Sequence, residues 1–106
     1  MKKPIGIFDS GIGGLTVYKA IRQAFPEEDL IYFGDTARVP YGPKSPNTII
    51  EYSVQNARFL IQQGIKTLIV ACNTSSSVAL DALRDLTGIP IIGVIDPGSE
   101  VAVRAT

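Results

Sequence analysis

Short, largely apolar runs recur along the chain, separated by longer segments of mixed polarity. Four of them span residues 4–8, 29–33, 67–71 and 89–95. A strand that is covered on one face only alternates apolar and polar residues, whereas these runs are apolar at nearly every position. They therefore predict four strands that are buried on both faces, with residues 67–71 as the clearest example.

The segments between these runs show helical periodicity, because their apolar residues recur every three or four positions. The three stripes are Leu15, Tyr18, Ile21 and Phe25; Ile50, Val54, Ala57 and Ile61; and Val78, Ala82, Leu83 and Leu86. Boundary residues agree with this prediction. Pro26 closes the first helix, Ser45-Pro46 begins the second and Gly64 ends it, while Thr87-Gly88 stops the third.

The predicted elements alternate as βαβαβαβ, and Asp96-Pro97-Gly98 opens one more helix that continues to Thr106. Apolar strands joined by helices predict an α/β fold, a flavodoxin-like parallel sheet with helices on both faces and the strand order 2-1-3-4. Such a sheet normally contains a fifth strand, and the last helix has no C-cap. We therefore expect residues 1–106 to form an incomplete, truncated part of one domain.

Composition and charge narrow the classes of function. Ten basic and ten acidic residues give a net charge of zero, which offers no reason to expect nucleic acid or an anionic membrane as a partner. The chain has one cysteine and no histidine, so an internal disulfide is impossible, a metal site is not expected, and a reducing cytoplasmic setting is favoured. The N-terminus lacks the apolar segment of a signal peptide, and no run reaches the roughly 18 apolar residues of a membrane span. The exposed edge of an incomplete sheet would favour association into a homo-oligomer.

Two polar loops follow the first and third predicted strands. In a parallel sheet of order 2-1-3-4 the strand order reverses between these two strands, and ligands bind beyond their carboxyl ends. The loops are Asp9-Ser10-Gly11-Ile12-Gly13-Gly14 and Cys72-Asn73-Thr74-Ser75. Topology and composition therefore predict a site at the same place.

The glycine-rich loop after the first strand allows more than one interpretation. It lacks the third glycine of a dinucleotide fingerprint and the spacing of a phosphate-binding loop. Its glycines still permit close approach of a ligand to the backbone, and a tight turn without any ligand is the alternative. Asp9 would repel phosphate, but it would suit an ammonium group or a role in proton handling.

Cys72 lies where a buried strand meets a helix N-terminus, a position that favours a thiolate because N–H donors stabilise negative charge. The alternative is a small buried apolar side chain, although the polar Asn73-Thr74 pair that follows does not continue an apolar core. Without histidine, Cys72 has the only side chain with an ordinary pKa within about two units of neutrality. Proton transfer at pH 7 would fall to it or to a carboxylate with a raised pKa.

The segment 34–46 contains three prolines and two glycines, which predicts a long ordered loop. Its first part combines Asp35, Arg38 and Tyr41. This segment could serve as a flap over the predicted site, or it could be an ordered surface loop in which Asp35 and Arg38 pair with each other.

Four segments of the chain together resemble glutamate racemase, in the order and at the spacing of that family. They are Gly6-Ile7-Phe8-Asp9-Ser10-Gly11-Ile12-Gly13-Gly14-Leu15, Gly34-Asp35-Thr36-Ala37-Arg38, Pro40-Tyr41-Gly42 and Ala71-Cys72-Asn73-Thr74. The segment Gly93-Val94-Ile95-Asp96-Pro97-Gly98 is also similar to the point where chains of that family leave their first domain. The resemblance covers essentially the whole chain, and its specificity lies in the combination of motifs.

The resemblance implies a cofactor-independent racemase in which two cysteines act on opposite faces of the substrate α-carbon, supplying D-glutamate for peptidoglycan in a bacterial cytoplasm. By this resemblance Cys72 faces the α-proton of D-glutamate, and Asp9 assists proton handling near it. The residues that it implies for binding the carboxylate and ammonium groups of glutamate are Asp9, Ser10, Tyr41, Gly42, Asn73 and Thr74.

The chain departs from the family in what it does not contain. The second catalytic cysteine and a nearby histidine belong to the other half of the family's chains, which are more than twice as long. We therefore expect this chain alone not to racemise glutamate. Two alternatives stay open, an aspartate racemase of the same two-cysteine group and a non-catalytic flavodoxin-like module that binds phosphate or a nucleotide.

Overall fold

A computed structural model describes residues 3–10, 14–38 and 40–93 of the chain. Its four strands are Ile5–Asp9 (β1), Leu30–Gly34 (β2), Thr67–Val70 (β3) and Ile91–Gly93 (β4). All neighbouring strands pair in parallel, in the order β2-β1-β3-β4. The predicted fold class and strand order are confirmed, and the order is that of the first four strands of a flavodoxin-like sheet.

Helices connect these strands on both faces of the sheet. They are Gly14–Ala24 (α1), Pro46–Gln62 (α2), Asn73–Val78 (α3) and Leu80–Leu86 (α4), with one 3-10 turn at Thr36–Arg38. The predicted start of the second helix is confirmed, because Ser45 is its N-cap and accepts a hydrogen bond from the Thr48 N–H. The helix predicted from Asp96 lies outside the described residues.

The core consists of two apolar layers, one on each face of the sheet, because neighbouring residues of a strand point to opposite faces. On the face covered by α2 and α4, Phe8 of β1 packs with residues that include Leu60 and Leu83. On the face covered by α1, Ile7 packs with residues that include Ile21. Burial on both faces explains why β1, β3 and β4 are continuously apolar in the sequence. The expectation does not hold for β2, which is only half-buried along its length.

The third helix of the prediction is divided in two in the structure. The two short helices meet at Ala79, and the first begins at Asn73, directly after Cys72, where the sequence predicts a helix N-terminus. Buried Ser76 explains the difference, since its Oγ donates to the Val70 carbonyl oxygen at 3.0 Å and holds α3 against β3. The core contacts of α4 come from Leu80, Leu83 and Leu86, and the last two belong to the predicted stripe. Val78 packs instead against the cluster that contains Cys72.

Close packing also requires glycine in β4. A Cβ atom on Gly93 would lie 2.7 Å from Leu80 Cδ1 and 3.0 Å from Ser76 Oγ. Both distances are shorter than van der Waals contact, so a side chain at this position would force the side chains of Leu80 and Ser76 to shift.

Gly64 ends α2 with a φ of 80°, in the left-handed region that favours glycine. We expect Gly64→Ala to lower the free energy of unfolding by about 1–2 kcal/mol, because a Cβ is strained in this conformation. Gly88→Ala is the matched control, since Gly88 is exposed and has no positive φ. Urea unfolding of both variants tests this expectation, and equal stabilities would contradict it.

Candidate active site

A cavity of about 440 Å³ opens where β1 and β3 end, at the place predicted from the strand order. Its wall contains Ser10, Tyr41, Gly42, Cys72, Asn73 and Thr74. The register explains this grouping, because Phe8 pairs with Val70 and so the loops after both strands emerge side by side. The structure thus brings together six of the residues that the sequence predicts for a site.

Four further residues in the wall were not singled out as site residues. They are Thr16, Val17, Pro40 and Ala71. Thr16 and Val17 belong to the first turns of α1, directly after the glycine-rich loop, so their position in the sequence was a usable signal. Ala71 and Val17 give part of the wall an apolar character.

Cys72 is both buried and part of the cavity wall. It is the N-cap of α3, and its Sγ accepts a hydrogen bond from the Ser75 backbone N–H at 3.5 Å. The side chain is 6% exposed and packs with Tyr41 and Ile49. Its burial with Tyr41 and Ile49 fits a small buried side chain, and its position in the cavity wall fits a thiol at a site.

Buried serines fix the position of the segment that carries Cys72. Ser75 Oγ lies 2.9 Å from Ser53 Oγ of α2, at hydrogen-bond distance, and both side chains are fully buried. Ser76 connects the same helix to β3 through the Val70 carbonyl oxygen. The sulfur is consequently held between a strand and a long helix, which is the kind of rigid support that a reacting group requires.

Asp9 lies behind the cavity wall rather than in it, because its side chain is fully buried and only the next residue, Ser10, contributes to the wall as described. Its Oδ1 accepts a hydrogen bond from the Tyr32 hydroxyl at 2.9 Å. Burial, together with the hydrogen bond and the charge of Asp9, raises the pKa of Tyr32 to about 12. The phenol therefore remains a neutral donor to Asp9 at physiological pH.

The segment between β2 and α2 contains an internal ion pair and also forms part of the cavity wall. Asp35 and Arg38 pair within the segment, with Nε to Oδ2 at 2.8 Å. Pro40, Tyr41 and Gly42 lie in the cavity wall. The Tyr41 ring packs with Cys72, while its hydroxyl donates to Asp35.

The hydrogen bonds around Asp35 determine the protonation states of Asp35 and Tyr41. Burial acts to raise the pKa of Asp35, but hydrogen bonds from Arg38, Tyr41 and Asn56 outweigh it and lower the pKa below its ordinary value. Burial raises the pKa of Tyr41, and its hydrogen bond to Asp35 raises it further. At neutral pH Asp35 is therefore an ionised acceptor and Tyr41 a neutral donor.

The part of the chain that the structure describes contains no group of three or more His, Cys, Asp or Glu side chains that could hold a metal ion. Over the same residues, no helix combines the length and the apolar character needed to cross a membrane.

A parallel sheet of order 2-1-3-4, with a cysteine in a polar cavity at its switch point, defines a flavodoxin-like α/β protein with a candidate active site. The family model of Asp/Glu/hydantoin racemases matches residues 5–106, and the chain belongs to this family.

Glutamate racemases are among its most similar relatives. That of Geobacter metallireducens is 60% identical over 104 residues, which are 98% of this chain and 38% of the relative. The solved structure of glutamate racemase from Aquifex pyrophilus is 52% identical with a TM-score of 0.86, over 100% of this chain and 41% of that one. Glutamate racemase from Francisella tularensis, solved in complex with D-glutamate, is 53% identical with a TM-score of 0.85. The match covers 89% of this chain and 36% of that one. The chain thus spans about two fifths of the length of these relatives.

Proposed function

We propose that this chain supplies one half of the active site of a glutamate racemase, which interconverts L- and D-glutamate. The observation that carries the proposal is the cavity, whose wall unites Cys72 with Ser10, Asn73 and Thr74. The relatives named glutamate racemase, and the one bound to D-glutamate, support the choice of substrate.

In the proposed reaction the Cys72 thiolate removes the α-proton of D-glutamate. The electron pair left on the α-carbon delocalises into the α-carboxylate, and a second thiol donates a proton to the opposite face to give L-glutamate. The reverse direction exchanges the two roles, so no electrons are gained or lost overall. The sequence contains one cysteine, and the second thiol must therefore come from another segment of polypeptide.

The wall offers the groups that such a reaction requires. The α-proton next to a carboxylate is a very weak acid, so preorganised donors must stabilise the charge that develops in the transition state. We assign this task to Ser10, Asn73 and Thr74. We assign the binding of the glutamate carboxylates to the same residues and to the Tyr41-Gly42 segment. Asp9, which is buried behind Ser10, would assist proton handling and balance the ammonium group.

The proposed cellular role is the supply of D-glutamate for peptidoglycan in the bacterial cytoplasm, and the proposed enzyme would act as a homo-oligomer without a cofactor. Aspartate is the second candidate substrate, because the family that matches includes racemases of aspartate as well as glutamate. The relative rates of the enzyme with the two amino acids decide between them.

A chimera tests the proposal. In the chimera, this chain replaces the region of the Geobacter metallireducens relative that it matches. We expect the chimera to racemise both enantiomers of glutamate in deuterated water and to incorporate deuterium at the α-carbon. The chain alone should show no sustained racemisation, because one thiol can at most exchange the α-proton of one enantiomer. Optical rotation and mass spectrometry measure the two effects.

Three results would contradict this view. Racemisation by the chain alone would exclude the division of the site between two segments. A chimera that folds, as judged by circular dichroism, but leaves glutamate unchanged would overturn the proposed function. A chimera that turns over aspartate faster than glutamate would show that aspartate, rather than glutamate, is the substrate.

A further inference from the structure

We propose that Asp35 is a positioning residue for the cavity, and that it fixes the Tyr41-Gly42 part of the wall by accepting the hydrogen bond of the Tyr41 hydroxyl. The inference rests on the proposed function, since it assigns a role toward the same substrate. Asp35 itself is absent from the cavity wall as described and acts through its neighbours.

The first observation is that three donors converge on one oxygen atom. Asp35 Oδ2 accepts from Arg38 Nε at 2.8 Å, from Asn56 Nδ2 at 3.2 Å and from the Tyr41 hydroxyl. The Asp35 side chain is 5% exposed. A carboxylate buried to this degree is stable only when it is paired and hydrogen-bonded, so the cluster is a fixed arrangement rather than a loose surface contact.

The second observation is that both hydrogen-bonding functions of the Tyr41 hydroxyl are in use. It donates to Asp35, and it accepts from Asn56 Nδ2 at 2.9 Å. The opposite side of Tyr41 faces the site, where the ring packs with Cys72 and Ile49. The side chain thus serves as an anchored apolar wall, and the contribution of this segment to substrate binding falls to its backbone.

The third observation is that the anchor belongs to a long helix. Asn56 is a buried residue of α2, and its Oδ1 accepts from Arg38 Nη2 at 3.1 Å. The Arg38 guanidinium also lies 4.0 Å from the ring centroid of Tyr52, another α2 residue, in a cation–π contact. Asp35 therefore links an irregular segment of the cavity wall to a rigid element.

These contacts predict how the anchor would act on the reaction. The wall segment binds substrate in the ground state and the transition state alike, whereas the proton is moved by Cys72. Loss of the anchor should therefore raise KM for glutamate and leave kcat nearly unchanged. A merely structural residue would instead lower the fraction of folded enzyme, which lowers the apparent kcat at an unchanged KM.

Asp35→Asn in the chimera tests this, because asparagine keeps the shape and removes the charge. We expect KM for glutamate to rise about 10- to 100-fold, the range expected for loss of a charge-assisted hydrogen bond, with kcat within about threefold. Tyr41→Phe should raise KM similarly, and the double variant should be no worse than the more severe single variant. Lys66→Gln is the control, since it removes the Lys66–Glu28 ion pair away from the cavity and should leave KM unchanged.

Amide hydrogen exchange of the chain itself gives a readout that does not depend on activity. The Arg38 and Lys44 N–H groups donate to the Asp35 and Tyr41 carbonyl oxygens at 3.3 and 3.0 Å within this segment. Both N–H groups should exchange at least about tenfold faster in Asp35→Asn, because opening of the segment exposes them. Their exchange rates should be unchanged in Lys66→Gln. Unchanged exchange, or additive effects of the two substitutions on KM, would overturn the positioning role. An inactive wild-type chimera would overturn the proposed function, while the exchange rates would still decide the role of Asp35.

Discussion

Cys72→Ala in the chimera should abolish racemisation of glutamate, with kcat lowered by about 10²–10⁴-fold or more. The reason is that no other side chain in the cavity wall as described can accept the α-proton: the wall contains hydroxyl, amide and apolar groups besides this thiol. Formation of the carbanion from D-glutamate would then have no base. The rate of deuterium incorporation from deuterated water measures that step directly.

Controls separate loss of chemistry from loss of structure or binding. Ser77→Ala removes a hydrogen bond on the exposed side of α3, between Ser77 Oγ and the Asn73 carbonyl oxygen, and should leave the rate unchanged. Calorimetry should show that Cys72→Ala still binds D-glutamate. The non-catalytic anion-binding alternative would be favoured by a wild-type chimera that binds phosphate but does not racemise glutamate. Phosphate binding would then be the same in Cys72→Ala and Ser77→Ala as in the wild-type chimera.

Phe8→Ala is expected to have the largest effect on stability, with a loss of about 3–5 kcal/mol in the free energy of unfolding. Phe8 is fully buried on the central strand β1, between β2 and β3, and belongs to the apolar layer under α2 and α4. A domain is usually stable by about 5–15 kcal/mol in total, so this single substitution should remove a large share of the stability of the chain.

Phe59→Ala provides the comparison for Phe8→Ala, because the same side chain is removed from an exposed position. Phe59 is 47% exposed and contacts the ring of Phe33, with 5.3 Å between the ring centroids. Its removal should cost no more than about 1.5 kcal/mol. Urea unfolding of the chain, followed by circular dichroism, measures both, and equal losses would show that β1 does not organise the core as described.

The fold could be predicted because its main signals are local. Strands covered on both faces are apolar throughout, and caps such as Ser45 and Gly64 define the ends of α2. The helices after β3 were predicted less well, because buried serines hold α3 to its neighbours and the sequence shows them only as polar residues. Burial of Ser75 and Ser76 is a property of packing that no local pattern displays.

The place of the site followed from strand order, but the contacts that support it did not. The Tyr32 hydroxyl reaches Asp9 across 23 positions of sequence, and Asn56 reaches Asp35 across 21. Such pairings depend on how a helix rotates against the sheet. Asn56 and Arg58 both flank Ala57 of the apolar stripe, yet Asn56 is buried and Arg58 is exposed, so no local pattern distinguishes them.

Because the chain has a single sulfhydryl, and that group lies in the wall of the cavity, a reporter dye coupled to it would attach at one known point. Cys72 is buried, so attachment would require the surrounding residues to move apart briefly. The kinetics of labelling would then record how often the wall opens, and a ligand that slows labelling would reveal its own occupancy without any chemical turnover.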